Sequence, residues 1–107
     1  MDFSQLSQDQ QRQLLMMSLI QQHQQIAMIG LGKIQNPATN EIQRDLGSAK
    51  FAIDTLESIE HYTKGNLTEE LDGFLTQTLT NLRLNYADEA AKPDEQGSNG
   101  QKADEEE

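Results

Sequence analysis

The chain has 107 residues with 35% hydrophobic content, no cysteine, no tryptophan and a formal charge of −10. One domain is the expected organisation at this length, with a core of Leu, Ile, Met and Ala. The lack of cysteine excludes disulfides, thiolate chemistry and cysteine–zinc sites, and it suits a reducing cytoplasm. Residues 88–107 hold eight acids against two lysines, a net of −6, whereas residues 1–87 carry −4. Nothing resembles the clustered Lys and Arg that phosphate-backbone binding needs, so direct nucleic-acid binding is not expected.

The N-terminus, MDFSQLSQ, has no basic stretch of the kind that opens a secretory signal. The longest apolar run, Leu14 to Ile20, is broken by Ser18 and is too short to span a membrane, which takes about 18 residues. The expected location is cytoplasmic. Residues 1–13 are polar and glutamine-rich, either an arm or the start of a helix, with Ser7 or Asp9 as the N-cap.

The first helix is predicted over Leu14 to Leu31. Its apolar band includes Leu15, Leu19, Ile26 and Ile29 together with Met16, Met17, Ile20 and Ala27, too broad for one buried stripe. The helix is therefore either central in a bundle or shared between the core and a second subunit. The block Gln21–Gln25, which contains His23, is expected to face outward. Gly30 and Gly32 mark the stop, one of them as a left-handed cap.

Asn36-Pro37 and the Ala-Thr-Asn that follows are turn chemistry, giving an ordered loop with short extended pieces around Ile34 and Ile42. Asp45 caps a second helix over Leu46 to Lys64, where Leu46, Ala49, Ile53 and Leu56 repeat at helical spacing. Lys50 and Asp54 form a surface pair one turn apart, and Gly65 ends the helix. Thr68 caps the third helix, with Glu69 and Glu70 in its favourable first turn. Leu71, Leu75, Thr78 and Leu82 form its inner line, and Gly73 is expected to mark a close approach of another element. The link Gly65–Leu67 is short enough to make helices two and three an antiparallel hairpin. The predicted fold is an all-α, three-helix unit over residues 14–87, ending in that hairpin and followed by a disordered acidic tail over 88–107.

The run LGKIQNPATNE, then DLGSAKFAIDTLESIEHYTKGNLTEE, then LTNLRLNY resembles a small bacterial family catalogued as domain of unknown function eighteen-forty-four. Its most specific piece is Thr63-Lys64-Gly65-Asn66-Leu67-Thr68, supported by Asn36-Pro37 and Leu82-Arg83. Asn40 stands where the family usually has Gly, and Asn tolerates the left-handed conformation. The resemblance implies a bacterial helical protein and brings no reaction with it.

Asp54, Glu57 and His61, with Glu60 nearby, are the best metal-ligand spacing in the chain. A di-iron bundle site would require Glu-x-x-His on each of two helices. The plainer reading is an acidic surface with Glu57 and His61 as an i, i+4 pair. No nucleophile signature accompanies the two histidines, His23 and His61. Lys64-Gly65-Asn66 could hold an anion before a helix N-terminus, but Glu69 and Glu70 already occupy that end. The expected function is a non-enzymatic protein–protein interaction module with no cofactor or metal. It is expected to self-associate, with a dimer favoured. The candidate interface is the leftover apolar band of helix one, Met16, Met17, Ile20 and Met28. The alternative is an acidic regulator or decoy of a basic nucleic-acid-binding partner.

Overall fold

The computed structural model describes residues 2–93, and the acidic segment predicted to be disordered falls, from residue 94 on, outside the described residues. Three helices follow a short 3₁₀ turn at Phe3–Gln5: α1 (Gln8–Gly30), α2 (Leu46–Thr63) and α3 (Glu69–Ala90). There is no strand among the described residues.

The glutamine-rich start is helical because Ser7 builds a full capping box. Its hydroxyl accepts from the Gln10 backbone N–H, and the Gln10 side chain accepts from the Ser7 N–H. Two otherwise orphaned donors are thereby satisfied, so Ser7 rather than Asp9 sets the helix start. The other end closes on Leu31, with Gly32 at φ +77°. Lys33 N–H donates to Met28 O and Gly32 N–H to Ile29 O, the paired bonds of a Schellman stop.

The connection from α1 to α2 is ordered without being a hairpin of strands. Asn36 O accepts from the Thr39 and Asn40 N–H groups, and Asn36 Oδ1 accepts from Ala38 N–H. Asn40 sits at φ +59°, the left-handed conformation that a glycine would take at no cost. The extended pieces expected around Ile34 and Ile42 reduce to one isolated bridge between Asn36 and Glu41. Asp45 then returns the chain to its start, its N–H donating to Gly30 O at 2.7 Å while its side chain caps α2 through Ser48 N–H.

Close helix packing follows at Gly30. A Cβ there would lie 2.8 Å from Ala49 N and from Asp45 O. Only the missing side chain lets α1 and α2 approach backbone to backbone. Gly73, by contrast, faces open space with nothing within 4 Å of a Cβ. The close approach expected at Gly73 occurs instead at Gly30, because the exposed side of α3 carries that glycine away from both neighbours.

α3 begins at Thr68, whose hydroxyl accepts from Leu71 N–H, after a tight reversal with Gly65 at φ +80°. Its inner line is as predicted, with Leu71, Leu75, Thr78, Leu79 and Leu82 all buried. Leu75, Leu79 and Leu82 meet Ile20, Ala27 and Leu31 of the α1 arm and Ala49, Ala52, Ile53 and Leu56 of α2 in one core. α3 also runs past the predicted domain end at 87. Asp88–Ala90 are helical, and Glu89 is only 5% exposed.

Candidate functional site

Ile20 is fully buried in the chain's own core. It cannot meet a partner, which corrects its place in the expected interface. Met16 and Met28 are half-buried and pack against the same core. Met17 lines a cleft of about 270 Å³ where the first turns of α1 meet Thr68, Glu70 and Leu71. These methionines fill irregular space in and beside the fold.

Leu14, itself exposed, lines the same cleft; the other exposed apolar side chains of α1 lie elsewhere, and the helical repeat fixes where. With about 3.6 residues per turn, side chains two places apart point to nearly opposite sides. Met17 lies against α3, so Leu15 and Leu19 point away from it. Half-buried Gln24 is flanked in the same way by Gln22 and Ile26. Leu15, Leu19 and Ile26 are 61%, 37% and 46% exposed. Together with Gln22 and Ile29 they repeat at intervals of four, three, four and three, the spacing of a helix–helix seam.

α2 presents a matching stripe on the same side. Ile53 is buried in the core, and Glu60 reaches Arg83 of α3 at 4.0 Å. The side chains two places before and after each, Phe51, Thr55, Ser58 and Tyr62, point away from α3. Phe51 is 75% exposed and Tyr62 83%, with the His61 ring packed edge-on to Tyr62. The α1–α2 pair is thus a layer covered by α3 on one side and bare on the other. The bare side carries no charged side chain in either stripe, and residues 13–32 of α1 contain no Asp, Glu, Lys or Arg at all.

The charged groups are committed to other tasks. Glu57 accepts from Arg83 Nε at 2.9 Å and is not paired with His61, because Arg83 reaches across from α3. Lys50 donates to Asp54 at 2.9 Å, an exposed pair of little energetic weight. Among the described residues no three His, Asp or Glu side chains converge as a metal site would require.

The strongest electrostatic feature is Glu89. Its carboxylate accepts from Lys92 Nζ at 2.7 Å, Lys33 Nζ at 2.9 Å and Arg44 Nε at 3.0 Å. Arg44 also donates through Nη2 to the Glu89 carbonyl. Hydrogen bonds from Lys92 and Lys33, with help from Arg44, hold the carboxyl down at about 2 although burial pushes it up. This clasp ties the last turn of α3 to the loop between α1 and α2. It is structural chemistry, since the Glu89 carboxylate is engaged by all three cations at once.

No helix is long and apolar enough to cross a membrane. Comparisons with curated proteins and with solved structures gave no match. A family model does match over residues 7–88, which take in all three helices and stop just short of Glu89. On that match the chain belongs to the family described as a domain of unknown function, DUF1844.

Proposed function

We propose that this chain is a helical protein–protein interaction module that works without catalysis and associates with copies of itself. The bare side of the α1–α2 layer supports this reading. Leu15, Leu19, Ile26, Phe51 and Tyr62 are exposed there in two stripes that hold no charged residue, while Glu57 and Glu89 are engaged by Arg83 and Arg44. A chain of net charge −10 resists close approach of a second copy wherever its acids lie. The two apolar stripes add no acid to that resistance.

Light scattering over a range of dilution tests the proposal. The wild-type chain should run above its monomer mass of 12.0 kDa. The double substitution Leu19→Glu with Ile26→Glu should return it to the monomer mass without loss of helical circular dichroism, because both side chains lie outside the core. A wild-type chain that stays at 12.0 kDa at every concentration would refute self-association. Salt separates this reading from the acidic-decoy alternative. A contact through apolar side chains persists as ionic strength rises, and one through exposed acids is screened away.

A further inference from the structure

Resting on the reading of the bare α1–α2 side as an interaction surface, we infer that its occupant is a second copy packed face to face about a two-fold axis at the level of Gln22 and Thr55. Four observations carry this inference.

The seam on α1 is symmetric about its middle. Leu15 and Ile29 lie seven residues either side of Gln22, and Leu19 and Ile26 lie three and four residues away. An antiparallel copy centred on Gln22 therefore sets Leu15 against Ile29 of the second copy, Leu19 beside Ile26 of the second copy, and Gln22 against its own equivalent. Apolar groups meet apolar groups. The one polar pair is a side-chain amide, which donates and accepts and so satisfies itself across a two-fold axis.

The stripe on α2 has the same property about Thr55. Exposed Ser48, one turn before Phe51, extends the stripe; it and Tyr62 lie seven residues either side of Thr55, and Phe51 and Ser58 four and three. Antiparallel pairing about Thr55 brings each exposed aromatic onto a serine of the second copy. A large side chain meets a small one, the alternation that close packing favours.

The two centres stand at one height. Gly30 meets α2 between Asp45 and Ala49, level with Gly47. Eight residues back along α1 from Gly30 is Gln22, and eight forward along α2 from Gly47 is Thr55. One axis perpendicular to the helices can therefore serve both stripes. That coincidence is not required by the monomer's own fold.

The area is also sufficient. α1 is about 34 Å long and α2 about 27 Å, and two helices side by side are about 20 Å wide. The plan area is roughly 600 Å². Side-chain relief raises the accessible area toward the roughly 800 Å² per partner of a stable complex. The paired copies would form four stacked helices flanked on each outer side by an α3.

The absence of natural cysteine makes the test direct. Gln22→Cys and Thr55→Cys are made separately in the full chain, with Gln77→Cys on the exposed side of α3 as the collision control. Each is treated with a short-spacer bis-maleimide at a concentration where the wild-type mass is measured in parallel. The expected result is efficient covalent dimer from the Gln22 variant and from the Thr55 variant, each alone, with at least a tenfold lower yield from the control. A wild-type chain of twice 12.0 kDa whose Gln22 and Thr55 variants do not cross-link individually would overturn this geometry and leave the interaction reading standing. Cross-linking only in a mixture of the two variants would do the same, since it would set α1 over α2 of the second copy. A monomeric wild-type chain would overturn both.

Discussion

Replacing Glu89 with Gln keeps the shape of the side chain and removes its charge from a site holding three cations. The contributions are unequal. Arg44 is 16% exposed, Lys33 31% and Lys92 53%. A hydrogen bond between charged groups contributes about 1.5–3 kcal/mol when sheltered, and an exposed pair about 0–1. Lys92 and Lys33 do most to hold the carboxyl down, but water screens both more than Arg44, so Arg44 carries the largest share of the stability, and Glu89→Gln should destabilise the fold by about 3 kcal/mol, part of it the repulsion left among the cations. For a domain of this size 1 kcal/mol moves the Tm by about 4–8 °C, so the melting point should fall by about 12–24 °C at fixed protein concentration. A fall of less than about 4 °C would refute the assignment of the clasp as a stabilising element. The pH dependence supplies an independent check. The folded carboxyl at about 2 lies below its ordinary value of 4.5. Its stabilisation is therefore complete above about pH 4.5 and lost as the pH falls through about 2. The Tm gap between wild type and Glu89→Gln should be level near neutrality and narrow steadily below about pH 4.5. A gap that does not change over that range would mean the carboxylate is not the stabilising group.

Gly30, at the end of α1, and Gly73, inside α3, should respond in opposite directions to the same change. Gly30→Ala drives a methyl into the α2 backbone at 2.8 Å and should cost about 1–3 kcal/mol or more, measured by denaturant unfolding. Gly73→Ala enters open space on an exposed helix and should stabilise by about 0.5–1 kcal/mol in the same assay.

The helices were legible because their punctuation is local. Asp45 and Thr68 cap as their side chains suggest, and Gly32 and Gly65 take the positive φ that their positions require. Lys50 pairs with Asp54 one turn away, so neighbouring sequence suffices to see it. Features that depend on the far side of the fold were not legible. The apolar band of α1 has two possible inward phases, and only α3 decides that Ile20 goes in while Leu15 and Leu19 stay out. The four-three spacing from Leu15 to Ile29 was the available signal for the outer stripe, masked by the methionines between. Glu89 reads, next to Asp88, as one of the acids that open a charged tail. Its partners Arg44 and Lys33 lie 45 and 56 residues away, beyond the reach of any local pattern. Gly30 reads as helix punctuation and Gly73 as a packing glycine, and only the crossing of α1 and α2 shows that the close approach is at Gly30.

That long sequence separation gives the Glu89 clasp a role in time as well as in energy. Each helix can form locally, and neighbouring helices join through short-range contacts, a topology that favours rapid folding. The clasp needs both ends of the α1–α2 loop and the end of α3 in place together, so it is expected to close late, and Glu89→Gln should change the unfolding rate far more than the folding rate. Interactions made after the barrier leave the folding rate almost untouched and slow the reverse step. On that expectation the buried carboxylate at the end of the last helix governs how long the folded chain persists between openings, while the leucines of the core govern the speed of its formation.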